Sequence, residues 1–250
     1  KMNSKNYFTL NILIFFIFSI ILTIYFVGPS NLWFNKTNWL YGAGDLTNAQ
    51  LSWQYFQVDE WHFPIGKNPN YGLEISNSII FTDSIPLLAF IFKLLSPVIY
   101  SKFQYFSFWI LICFFLQLFF AYILLLKITK DNLYSFLGSF LFLLSPFFFF
   151  RLSFHFSLGA HWLLLYAFYI CYVIDKDHKS IHWFLLITLS LLIHLYFTLM
   201  LFVILSCFVF EEIFTRKSLK PCIFLIGSIF YALIFMYIVG YFESSPINSV

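Results

Sequence analysis

No charged side chain interrupts the run from Tyr7 to Val27, and the same holds for the runs 104–126, 133–150, 159–174, 181–194 and 222–241. A further run, 196–214, carries Glu211 and Glu212 near its end. Uncharged stretches of this length suit the hydrocarbon of a bilayer and have no place on a surface facing water. Composition supports that constraint. Of 250 residues, 61% are hydrophobic and 10% are charged, against about 25% charged in an ordinary soluble domain. Charge that sparse cannot cover a solvated surface, so most of the surface faces lipid. The 38 Phe serve as bulk apolar filler. A formal net charge of +3 offers no basic stripe and argues against nucleic acid as a partner. Cys113, Cys171, Cys207 and Cys222 form no CxxC pair and read as small apolar residues.

The first run follows Lys1 and Lys5 and ends at Gly28-Pro29. It is too long for a signal-peptide core and lacks a small-x-small cleavage site, so it reads as a spanning anchor. The chain opens Lys-Met and closes on a polar stretch from Phe242 to Val250, which predicts a piece of something longer. Between Pro29 and Ser84 lie Asp45, Asp59, Glu60, Glu74 and Asp83, nearly half of the 11 acids, with four of the seven Trp.

Charge placement orders the runs. The basic clusters are Lys1/Lys5, Lys127/Lys130, Lys176/Lys179 and Arg216/Lys217/Lys220. If the apolar stretch 85–96 crossed the bilayer, two of these would fall on the outer face. That stretch has about 12 residues, roughly 18 Å of helix against a core of roughly 30 Å. Read as a short interfacial or re-entrant helix, it leaves every cluster inside, as the positive-inside rule prefers. By the same rule, 181–214 divides into two passes near His194-Leu195-Tyr196. The expectation is an all-α, polytopic transmembrane bundle forming one domain. Its seven or so spans lie near 7–28, 104–126, 133–150, 159–174, 181–194, 196–214 and 222–241, with the N-terminus inside. The outer face then carries the loop 29–103, the loop 151–158 and the turn at 194–196.

Polar residues converge on that face. Tyr41-Gly-Ala-Gly-Asp45 delivers a carboxylate just outside the first span, ahead of a helix with Leu46, Ala49, Trp53 and Phe56 on one face. Asp45 reads either as a general base or as the N-cap of that helix. Asp83, in Phe81-Thr-Asp-Ser-Ile-Pro86, reads either as a helix start or as a second carboxylate near the site. Arg151-Leu-Ser-Phe-His155 places a guanidinium and an imidazole four apart on one helix face, with His161-Trp162 following. Such groups at membrane depth either snorkel and bond between helices or bind a phosphate. His194 is either a helix-end residue or a donor to a ligand. His62 sits in a possible lid, and His178 and His182 are expected to be solvated on the inner side. The i, i+6 spacing of His155 and His161 is not a metal-ligand spacing, so no metal is expected.

This layout resembles the polyprenyl-phosphate-dependent GT-C glycosyltransferases, the superfamily of bacterial oligosaccharyltransferases, protein mannosyltransferases and lipid A aminoarabinose transferases. The shared features are an inside anchor, an acid early in a long outer loop, a short helix within that loop, a second polar loop and a broken pair of spans. The stretches Trp61-His-Phe-Pro-Ile-Gly-Lys-Asn-Pro-Asn-Tyr-Gly, Phe81-Thr-Asp-Ser-Ile-Pro-Leu-Leu and Arg151…His155…His161-Trp162 are similar to those of uncharacterised bacterial members. The resemblance covers the whole chain as the N-terminal half of a typical member. It implies an inverting transfer of a sugar from a polyprenyl-phosphate donor to a glycan or lipid acceptor, outside a bacterial inner membrane. Asp45 takes the role of base, with Arg151, His155 and less directly His161 at the donor phosphate. Asp83 and His194 join them as binding residues. Metal-dependent relatives carry acids in the second loop, and none lies between Arg151 and Trp162, so the resemblance implies no metal and no cofactor. The competing expectations are a flippase or transporter of a lipid-linked substrate and a non-catalytic membrane subunit. Matching halves with Gly/Pro breaks, which would favour transport, are not seen.

Overall fold

Apolar runs separated by Pro, Gly, Asn and Asp fold into ten α-helices among the residues that the computed structural model describes, 4–42, 44–72, 77–99, 103–174, 176–217 and 219–243. In chain order they are α1 (Ser4–Val27), α2 (Gly44–Val58), α3 (Pro86–Leu94), α4 (Phe106–Thr129), α5 (Asn132–Leu143), α6 (Pro146–Phe154), α7 (Trp162–Tyr172), α8 (Lys176–Ile193), α9 (Leu195–Arg216) and α10 (Lys220–Val239). Two antiparallel strands of two residues each, β1 (Lys67–Asn68) and β2 (Asn77–Ser78), pair inside the long loop. Lys1, Glu74 and the tail from 244 lie outside the described residues, as do the side chains of Lys5, Lys176, His178 and Arg216.

Among the described residues, four helices are long and apolar enough to cross a membrane: Asn6–Val27, Phe106–Thr129, Leu195–Thr215 and Lys220–Val239. The pair α5 and α6 passes the same test together but bends by 45° at its break. Two further apolar helices, Ser157–Tyr172 and Lys179–Ile193, are shorter. This is an all-α bundle with the make-up of an integral membrane protein. The run 133–150, expected as one span, is bent at Ser145-Pro146. Proline has no N–H to continue the ladder and disfavours helical geometry in the residue before it, so a new helix starts on Pro146. The other expected break stands at His194, between α8 and α9. The run 159–174 opens with a short 3-10 turn, Ser157–Gly159, before α7 begins.

Polar contacts pin both ends of the bundle. At one end the Asn11 amide donates to the Tyr122 hydroxyl and to Asn132 Oδ1, both at 3.2 Å, joining the start of α1, the end of α4 and the start of α5. At the other end Gln104 N–H donates to the Phe34 carbonyl at 2.8 Å and the Trp53 indole donates to the Phe103 carbonyl at 2.8 Å. The end of α10 reaches the same loop: Ile65 N–H donates to the Ile238 carbonyl at 3.0 Å. The Tyr241 hydroxyl donates to the Leu191 carbonyl at 2.6 Å, tying α10 to the end of α8. Aromatic side chains fill the core between them, with Phe15, Trp53, Phe106, Trp109, Phe114, Phe148 and Phe156 all buried.

The nine-residue helix α3 spans about 14 Å and packs on α2 at the loop end. The face of α2 foreseen in the sequence, Leu46, Ala49, Trp53 and Phe56, is buried. The buried Lys93 of α3 holds its ammonium 3.8 Å from the centre of the Phe56 ring and 4.7 Å from that of Trp61. It donates to the Glu60 carbonyl at 3.0 Å.

Candidate functional site

At the loop end, two strained residues aim a carboxylate inward. Asp83 has φ 56° and Ile85 φ 51°, the left-handed region that a β-branched side chain seldom occupies. A chain of hydroxyls holds the turn against α2. Thr82 donates to Ser52 Oγ at 2.8 Å, Ser84 Oγ donates to the Ala49 carbonyl at 2.8 Å, and the Tyr105 hydroxyl donates to the Ser84 carbonyl. The Asp83 carboxylate thereby reaches Ser157, in the segment between α6 and α7. Ser157 donates to Asp83 Oδ1 from its N–H at 3.1 Å and from its hydroxyl. Asp83 Oδ2 has no protein partner. Burial pushes this carboxyl up to about 6. The two bonds from Ser157 and the nearby His155 act against that rise, and Asp45 adds to it.

Asp45 lies in the first turn of α2 and does not cap it, since the helix already begins at Gly44. Its carboxylate is exposed and sits 3.4 Å from His155 Nδ1. Nor does Asp83 cap α3, where Ile85 occupies the cap position. His155 follows the last residue of α6 in extended geometry, φ −138° and ψ 93°, and its N–H closes the helix on the Arg151 carbonyl. The two side chains therefore do not share a helix face, contrary to the i, i+4 expectation. Termination of α6 turns His155 toward Asp45 and leaves Arg151 on the helix.

Arg151 and His161 line a cavity of about 640 Å³ among α4, α5, α6, α7 and α9. Its walls are otherwise mostly apolar, including Leu141, Phe142, Leu164, Phe168 and Met200, with Gln117, Ser145 and Tyr196 as further polar groups. The His161 ring packs between Phe148 and Phe197, with centroids 5.5 Å and 6.1 Å away. A planar guanidinium beside an apolar cleft suits an amphiphile with an anionic head. His194 caps α9, its Nδ1 accepting from Tyr196 N–H at 3.2 Å, and lies within electrostatic reach of His155.

The sequence-derived residues thus fall into two neighbouring groups. Asp45, Asp83 and His155 form the first, Arg151 and His161 the second, and the segment 151–161 supplies members of both. Among the described residues, no three His, Cys, Asp or Glu side chains come together in a set fit for a metal ion. His62 pairs with Asp59 at 3.3 Å. His182, expected to be solvated, is half-buried and its Nδ1 lies 2.6 Å from the Tyr166 hydroxyl. Ser157, Gln117 and Tyr196 escaped the reading of the sequence. Ser157 lies 74 positions from Asp83, and a lone serine in a Phe-rich segment gives no signal of such a clasp.

The chain belongs to the family described as a domain of unknown function, DUF6311, whose model matches residues 16–249. No curated protein and no solved structure is similar enough to match it.

Proposed function

We propose that this member of the family is a membrane glycosyltransferase of GT-C type, moving a sugar from a polyprenyl-phosphate donor to a glycan or lipid acceptor with inversion. The observation that carries this reading is the cavity of about 640 Å³, mostly apolar, with Arg151 and His161 in its lining and the Asp45–His155 pair on the adjoining segment. The polyprenyl chain lies in the cavity and the phosphate meets Arg151. The acceptor oxygen attacks the anomeric carbon, and the bond from that carbon to the phosphate oxygen breaks. The lipid phosphate leaves with the electron pair, and the acceptor's proton passes to the Asp45 carboxylate. His155 orients that carboxylate. Arg151 and His161 stabilise the charge that grows on the leaving phosphate, while Asp83 and His194 hold the surrounding loops.

The same reading takes the four long helices, the bent pair and the two shorter helices as seven passes. Lys127 and Lys130 then sit in the cytoplasm, and the loop end faces out from a bacterial inner membrane. The test is transfer of a labelled sugar from a polyprenyl phosphate by the purified protein. Asp45→Asn should lower the rate by roughly 10²–10⁴-fold, and Arg151→Ala should weaken donor binding. Wild-type rates in both variants, or movement of the donor across vesicles without transfer, would overturn the proposal.

A further inference from the structure

At the end of the bundle away from the loop, α8, α9 and α10 enclose a second cavity of about 280 Å³. Leu205, Phe208, Val209 and Phe224 give it apolar walls, and Lys179, Lys220 and Glu212 bring charge to it. Lys220 opens α10, and Lys179 stands in the first turns of α8, so the positive ends of two helix dipoles reinforce the two ammonium groups. Of the three charged side chains in the lining, two are cationic and Glu212 is anionic. Lys179 is held in place: it donates to the Cys171 carbonyl at 2.8 Å and lies 4.3 Å from the centre of the Phe208 ring. The indole of Trp183 is 1% exposed, also lines the cavity, and its N–H has no acceptor among the described residues.

These features select a ligand. The indole N–H, with two ammonium groups beside it in the lining, suits an anion rich in acceptor oxygens. The apolar walls call for a hydrocarbon attached to it, and inorganic phosphate would leave them uncovered. Outside the cavity, Phe214, Ile223 and Ile226 present exposed apolar surface on α9 and α10, a path for chains that the cavity is too small to hold. A zwitterionic lipid carries its own cation, which competes with the lysines. Basic pockets between membrane helices take anionic headgroups for the same reasons. We infer that this cavity is a binding site for the phosphodiester head of an anionic membrane phospholipid. It shares no residue with the loop-end site and stands whether or not glycosyl transfer is the protein's activity.

The probe is phosphatidylglycerol added to the purified protein in neutral detergent, with phosphatidylcholine of the same chains and inorganic phosphate as the other arms. Phosphatidylglycerol should raise the melting temperature, and the other two should not. In Lys179→Gln/Lys220→Gln its apparent affinity should fall roughly tenfold or more, as the loss of two lysine contacts implies. Lys127→Gln/Lys130→Gln, at an exposed basic pair, should leave the shift unchanged. Equal shifts with phosphatidylcholine or phosphate, or wild-type affinity in the Lys179/Lys220 variant, would overturn the inference. Native mass spectrometry of the wild-type protein from mixed micelles gives a readout independent of variant folding. Preferential retention of one phosphatidylglycerol supports the site, and equal retention of both lipids rejects it.

Discussion

Asp83 carries a tension that titration can expose. Its carboxyl is pushed up to about 6 by burial, from an ordinary value of 3.8. Between these values the folded chain holds a proton that the unfolded chain has lost. The contribution of Asp83 to stability is therefore largest below about pH 4, falls as pH rises toward 6, and stays reduced above it. A shift of this size corresponds to at most about 3 kcal/mol. Asp83→Asn keeps an oxygen to accept from Ser157 and removes the titration. Melting curves from pH 4 to 7 should lose part of their downward slope in the variant, and an unchanged slope would reject the assignment. At this scale the sequence singled out residues that the fold brings near one another, without their full set of partners. Asp45, His155, Arg151 and His161 stood out because ionisable groups are rare in such a chain. That Asp83 would meet Ser157 follows from tertiary packing, which no local pattern encodes.

Helix positions were legible because the bilayer imposes long apolar runs and proline and charge punctuate them. The short α3, the break at His194 and the buried face of α2 all follow from run length and spacing. Pro146 adds what apolar length alone does not carry: it lies in a stretch that composition reads as continuous, and backbone chemistry bends it. The docking of α10 on the loop was equally hidden. A Cβ on Gly66 would stand 2.3 Å from the Val239 carbonyl oxygen and 3.0 Å from an Ile80 carbon, whereas one on Gly227 would meet nothing within 4 Å. Gly66→Ala should therefore push the end of α10 off the loop and destabilise by about 1–3 kcal/mol. Gly227→Ala, inside α10, should stabilise by up to about 1 kcal/mol through helix propensity. Thermal melts of the pair in one detergent check the opposite signs. Equal effects would mean that the contact at Gly66 does not hold the two elements together.

At the scale of the molecule, the question is which residues share a side of the membrane. Contacts tie the start of α1 to Asn132, two residues after Lys130, and tie the end of α10 to the loop that follows α1. Lys127 and Lys130 thus lie at the end of the bundle where α1 starts, and Asp45, Asp83 and His155 at the other. Helix α3 is the element on which this arrangement turns: nine residues give about 14 Å of rise against roughly 30 Å of hydrocarbon. Its ammonium is already engaged with Phe56, Trp61 and the Glu60 carbonyl. The proposed orientation requires that a helix so short and so tied to α2 return the chain to the face it left. In a background without the four native cysteines, Ser30→Cys and Ser96→Cys should both react with a membrane-impermeant maleimide added outside cells. Lys127→Cys should react only after the membrane is opened. Labelling of Ser96→Cys only from within would mean that α3 crosses, and the orientation proposed for the loop end would fail with it.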